Sequence, residues 1–143
     1  MKVLFVCTGN TCRSPMLKFM FDVYLAANGI RGITSDSAGL SGGGKPVSEY
    51  TKSILKKHGV PYTERLSVVC GDELVCGADA IFTMTRAQER ELSDRYGEGK
   101  IFSLSRIAGN DIKDPYGGAE EEYEKTFSAF EKLLPLIVEF ISK

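Results

Sequence analysis

Cys7-Thr8-Gly9-Asn10-Thr11-Cys12-Arg13-Ser14-Pro15 is the part of this 143-residue chain whose residue types and spacing can do chemistry. An apolar, strand-like run enters it and a helical pattern leaves it. A loop between such elements can turn its backbone N–H groups inward around an anion, with the helix N-terminus adding positive potential. Cys7 would lie at the centre of those dipoles, which favour the thiolate, the nucleophilic form of cysteine. Arg13 returns at the end of the loop, placed to hold two oxygens of a phosphate in a bidentate clamp. Ser14 can donate to the Cys7 sulfur and, standing before Pro15, is expected to cap the helix. Gly9 and Asn10 are the residues expected to take positive φ in the tight winding.

An isolated cysteine at a strand end is most often a small buried hydrophobe. Cysteine, five residues, arginine and then Ser-Pro opening a helix is far more specific, and every part serves phosphoryl transfer to sulfur. The Gly-Lys-Ser/Thr of nucleotide-binding loops is absent. The leaving group of such a transfer needs a proton, and Asp114-Pro115-Tyr116-Gly117-Gly118 supplies the best candidate donor, Asp114, in a polar turn.

These residues need a scaffold, and strands alternate with helices along the chain. Met1–Val6, Ile33–Ser37, Ala80–Met84 and Ile101–Leu104 are predicted strands. Helices are predicted from Ser14 to Asn28-Gly29, from about Val47 to Lys57, and from Arg86 to about Tyr96. A last helix starts near Ala119. Its stripe of Tyr123, Phe127, Phe130, Leu134, Ile137 and Ile141 reads as core, and Pro135 is expected to kink it or leave a carbonyl unpaired. The alternation predicts an α/β fold, one domain over residues 1–143, with a four-stranded parallel sheet covered by helices on both faces. Ligands of such sheets bind beyond the carboxyl ends of the strands, where the loop after strand 1 lies.

The net charge is −1 and the pI about 5.9, with no basic run, so neither nucleic acid nor an anionic membrane is expected as a partner. The N-terminus enters a strand directly, and Leu133–Val138 is too short to span a membrane. A cytoplasmic chain with reduced thiols is expected. Four cysteines and a single histidine, His58, make a zinc site unexpected, and no cofactor is implied. His58 falls at a helix end, and no catalytic task is assigned to it.

The Cys7–Pro15 segment, Ser37-Ala38-Gly39, Ala78-Asp79, Met84-Thr85 and Asp114-Pro115-Tyr116 together resemble the low-molecular-weight protein tyrosine phosphatase family over essentially the whole length. The resemblance implies a metal-free mechanism in two steps. Cys7 attacks phosphorus while Asp114 protonates the leaving atom; water then hydrolyses the phosphocysteine with Asp114 as base. It also implies that backbone N–H groups of Thr8, Gly9, Asn10, Thr11, Cys12, Arg13 and Ser14 bind the phosphate, and that Asn10 and Ser37 brace the loop. Ser14 would stabilise the thiolate, and Cys12 could form a protective disulfide with Cys7. Relatives carry a histidine shortly after the second helix; Gly59–Ser67 has none, which leaves that part of the bracing open.

Thr11 stands where animal tyrosine-specific members carry a bulky aliphatic residue, and Tyr116-Gly117-Gly118 resembles bacterial protein arginine phosphatases. A Thr11 hydroxyl and a Tyr116 ring suit a planar guanidinium. The expected partner is therefore a phosphorylated protein, with phosphoarginine favoured over phosphotyrosine and the chain acting as a monomer. Two further possibilities differ in class. Arsenate reductases share the cysteine loop, but their relay pair follows the third strand, whereas Cys70 and Cys76 precede it. A non-catalytic phosphoprotein-binding module would lack Cys7, Arg13 or Asp114, and all three are present.

Overall fold

A computed structural model describes residues 1–143. Its central element is β1 (Lys2–Cys7), whose residues Val3–Val6 are fully buried because a neighbour pairs on each side and helices cover both faces. The sheet is parallel, in the order β2 (Thr34–Gly39), β1, β3 (Ala80–Thr83), β4 (Ile101–Ser103). Side chains alternate across it, as period 2 requires. Val3, Phe5, Cys7 and Phe82 enter the larger core, under α1 (Arg13–Ala27), α2 (Glu49–Lys57) and α6 (Glu120–Ile141). Leu4, Val6, Ile81 and Ile101 face the smaller one, under α3 (Asp72–Gly77) and α4 (Arg86–Tyr96). A single turn, α5 (Ser105–Ala108), leads from β4 toward the Asp114 loop. The four-stranded parallel sheet with helices on both faces agrees with the expectation from sequence.

Several boundaries differ for local reasons. Helix α1 begins at Arg13, with Cys12 at the N-cap, so Ser14 lies inside the first turn and caps nothing. Helix α2 begins at Glu49 and not Val47, because Ser48 is the cap: its hydroxyl accepts from Thr51 N at 3.2 Å. The last helix buries the expected stripe from Tyr123 to Ile137, leaves Ile141 partly buried, and runs on through Pro135. Pro135 and Glu131 are on its exposed side, so the carbonyl that loses its N–H donor faces water. No helix is long and apolar enough to cross a membrane.

The strand ends position the Cys7 loop. Register pairs Cys7 with Gly39, and β1 and β2 continue to pair past the sheet: Leu40 N donates to Cys7 O at 3.0 Å and Ser41 N to Thr8 O at 3.1 Å. Here the two chains touch. A Cβ on Gly39 would lie 2.8 Å from Thr8 O, 3.0 Å from Gly9 C and 3.1 Å from Asn10 Cβ. Gly39→Ala is expected to lower stability by about 1–3 kcal/mol through this overpacking and to displace the loop. Thermal unfolding, together with loss of turnover on para-nitrophenyl phosphate, checks this; unchanged values in both would show that the loop yields freely.

Candidate active site

The Cys7 loop folds as it does because of Asn10. At φ 57° it is the only non-glycine residue in the left-handed region, where asparagine is tolerated. Gly9, expected to share that conformation, does not adopt it. The turn brings Asn10 N to 3.2 Å from Cys7 Sγ. The buried Asn10 amide uses both ends: Nδ2 donates to Ser14 Oγ at 2.8 Å and Ser37 Oγ at 3.0 Å, and Oδ1 accepts from Val68 N at 3.0 Å. Ser14 Oγ is 3.0 Å from Cys7 Sγ and 3.3 Å from Ala38 O. Because that oxygen accepts from Asn10, its single proton serves the sulfur or the carbonyl. Negative charge on the sulfur draws it to Cys7.

Arg13 enters the same cleft from the first turn of α1, although it is 4% exposed. Its Nη1 donates to Ile112 O at 2.8 Å and its Nη2 lies 3.6 Å from Asp114 Oδ2. These contacts use only part of its five donors and leave the fork available to an anion. Asp114 is half exposed, and its Oδ1 accepts from Tyr116 N at 3.1 Å, an Asx turn that fixes the carboxyl over the cleft. The cleft measures about 500 Å³ and is lined by Cys7, Thr8, Gly9, Thr11, Cys12, Arg13, Asp114 and Tyr116, with Ser41, Gly42, Lys45, Pro46 and Ser48. Residues more than 100 positions apart in the chain thus meet at one sheet edge.

The profile of the family described as low molecular weight phosphotyrosine protein phosphatase matches residues 2–143. The chain belongs to this family. The low molecular weight protein-tyrosine-phosphatase PtpB of Staphylococcus haemolyticus is 36% identical over 141 residues, covering 96% of this chain and 95% of that protein. The protein-arginine-phosphatase of Bacillus subtilis is 31% identical, covering 100% of this chain and 98% of that one. Among solved structures, the YwlE arginine phosphatase in a cysteine-to-serine mutant with a phosphorylated active site serine superimposes with a TM-score of 0.89. It is 27% identical and covers 100% of this chain and 97% of that chain.

In this member of the phosphatase family, some bracing groups were not apparent from sequence. The Asn10 carbonyl oxygen receives a backbone N–H, that of Val68. Arg65 fastens the neighbouring strand, donating to Asp36 Oδ1 at 2.9 Å and Ser37 O at 3.3 Å. Tyr123, read as core, carries its hydroxyl to 3.5 Å from Cys12 Sγ beneath the loop. Burial first, and then the Cys12 contact, push this phenol well above its ordinary range. Gln88 reaches the loop from α4, with Nε2 donating to Thr8 Oγ1 at 3.0 Å. Thr85-x-x-Gln88 is legible as a capping box, but nothing local announces the contact with Thr8.

All four cysteines are unpaired. Cys12 occupies the N-cap position of α1 without a side-chain cap bond and lines the cleft with Cys7, whereas Cys70 and Cys76 flank and occupy α3 outside the cleft. Burial raises the Cys70 thiol above its usual range. His58 ends α2, stacks on Phe127 at 4.0 Å and hydrogen-bonds Glu124, so it ties α2 to α6 away from the cleft.

Asn10→Ala is expected to cost about 2–4 kcal/mol, from a left-handed alanine and an orphaned Val68 N–H. Asn10→Gly keeps the backbone conformation and should lose about 1 kcal/mol less. Urea denaturation of the three proteins measures both, and equal losses would place the cost in the side-chain bonds alone.

Proposed function

We propose that this chain is a cysteine-dependent protein phosphatase that needs no metal, with phosphoarginine on proteins as its favoured substrate. The observation that carries the mechanism is the surrounding of Cys7 Sγ: Asn10 N at 3.2 Å, Ser14 Oγ at 3.0 Å, and a cleft shared with Arg13 and Asp114. Donors on the sulfur stabilise a thiolate. The thiolate attacks phosphorus in line, an S–P bond forms, and the P–N bond to the guanidinium breaks as Asp114 delivers its proton to the departing nitrogen. Loop N–H groups and Arg13 carry the charge on the phosphoryl oxygens. Water then attacks the phosphocysteine, gives its proton to Asp114, and inorganic phosphate leaves with the thiolate restored. The phosphorylated serine in the related arginine phosphatase is consistent with an acceptor at this position.

Support for phosphoarginine comes from the walls. No leucine, isoleucine, valine, methionine or phenylalanine lines the cleft, and Thr11 and Ser41 present hydroxyls. Tyr116, 75% exposed, offers its ring to a planar cation. Full-length similarity to an arginine phosphatase agrees with this. The phosphotyrosine alternative shares the mechanism and is favoured by the similarity to PtpB. This reading takes the chain to be a cytoplasmic monomer acting on phosphorylated proteins, and the near-neutral charge with no basic run fits a target other than nucleic acid or an anionic membrane.

Turnover of phosphoarginine and phosphotyrosine peptides without added metal tests both levels. Phosphoarginine hydrolysis is expected to dominate, to vanish in Cys7→Ser, and to fall about 100-fold or more in Asp114→Asn. Thr11→Ile should move the preference toward phosphotyrosine. Preference for phosphotyrosine in the unmodified chain would refute the substrate assignment, and turnover by Cys7→Ser would refute the mechanism.

A further inference from the structure

Gln88 is buried, yet it is a polar side chain on the first turn of α4. Its Oε1 accepts from Met84 N at 2.9 Å and Thr85 N at 3.1 Å. Both partners are donors, so the orientation of the amide is determined and Nε2 must donate. Its partner is Thr8 Oγ1 at 3.0 Å, 80 positions away in the chain. The capping box of α4 is complete with Oε1 and the Thr85 hydroxyl. The Nε2 bond is additional to capping, and it ends on the residue that follows Cys7.

A hydroxyl has one proton and two lone pairs. Gln88 occupies one lone pair of Thr8 Oγ1, and the Thr8 proton cannot point at Gln88. What remains is one lone pair and the proton, on a residue that is exposed and lines the cleft. Thr8 lines the phosphate cleft and also a second one of about 530 Å³, which shares Thr8, Arg13, Ser41 and Asp114 with it. Glu91 and Asp111 add negative charge to the second cleft, against the ammonium of Lys113; Asp111 Oδ1 also holds Arg86 N at 3.0 Å.

We infer that Thr8 Oγ1 is a specificity-determining contact that favours a phosphoguanidinium over an aryl phosphate, with Gln88 as its positioning residue. This rests on the phosphatase reading of the Cys7 loop. A phosphoguanidinium carries N–H donors on the atoms next to phosphorus and a positive charge. The free lone pair of Thr8 is available to accept one of those donors, and Glu91, Asp111 and Asp114 outnumber Arg13 and Lys113 along the second cleft, which favours the charge. An aryl group offers only ring carbon beyond its bridging oxygen, so the free lone pair loses water and gains no donor. Such a mismatch is how a polar site rejects an apolar analogue. Gln88 prevents the hydroxyl from rotating away to satisfy itself.

The test compares kcat/KM on phosphoarginine and phosphotyrosine peptides of otherwise identical sequence. Thr8→Val is expected to lower the phosphoarginine-to-phosphotyrosine ratio about ten-fold, while Thr8→Ser keeps it within about two-fold. Gln88→Met should lower the ratio by about three-fold and lower it no further in a Thr8→Val background. Should Gln88→Met fail to fold, as its thermal unfolding would show, the contrast between valine and serine at position 8 still decides. A ratio unmoved by Thr8→Val, or equal losses on both substrates, overturns the inference whichever substrate the unmodified chain prefers. Failure of the unmodified chain on both peptides, or full turnover by Cys7→Ser, overturns the phosphatase reading and this inference with it.

Discussion

The backbone carbonyls of the Cys7 loop each need a donor. Much of this fold meets that requirement. Cys7 O takes Leu40 N, Thr8 O takes Ser41 N, Thr11 O takes Ser48 N at 2.9 Å, and Cys12 O takes Met16 N at 3.2 Å. The donors come from the extension of β2, from the residue that caps α2, and from α1 itself. Each flanking element is thereby held at a set height relative to Cys7. Gly39 belongs to the same constraint, since only a residue without Cβ lets β2 come close enough to donate.

The Asp114 side of the cleft is held through a different chain of contacts. Ile112 N donates to Met84 O at 2.9 Å, at the end of β3, and Ile112 O receives Arg13 Nη1 at 2.8 Å. One residue therefore connects a strand end, the arginine of the loop and the segment that carries Asp114. Arg13 is almost inaccessible, so its charge is held by the Ile112 carbonyl and the Asp114 carboxylate. A buried cation so fastened cannot follow a displaced Asp114 loop without losing its carbonyl, which couples the position of Asp114 to that of Arg13.

What was legible in the sequence follows from whether the signal is local. β1, the loop from Cys7 to Ser14 and the stripe of α6 are written in consecutive or periodic residues; β1 and most of the stripe lie close to where they are read, while within the loop Asn10 takes the expected left-handed turn and Gly9 does not. The Asn10–Ser14 bond spans four positions and belongs to the same motif. Gln88 to Thr8, Val68 to Asn10 and Arg65 to Asp36 span 80, 58 and 29 positions. No periodicity marks them, because their partners are set by sheet order. The misplaced cap of α1 has another cause. Serine before proline is a sound capping signal, but the Ser14 hydroxyl is claimed by Asn10 and Cys7, and the N-cap falls two residues earlier, at Cys12.

That displaced cap bears on how the site carries charge. Among α1, α2, α4 and α6, the helices of more than eight residues, α1 alone has neither a capping side chain nor an acidic residue in its first turn. Ser48 and Thr85 cap α2 and α4, and Glu49, Glu89 and Glu120–Glu122 neutralise the ends of the other three. A side-chain oxygen at the start of α1 would compete with an anion for the same N–H groups, and a carboxylate there would cancel the dipole. Placing Ser14 inside the turn, with its hydroxyl on the sulfur, leaves those donors unclaimed by any cap. Arg13 then adds a full positive charge where the other helices place negative ones. The same choice that makes the helix start hard to read makes it suited to hold a phosphate beside Cys7.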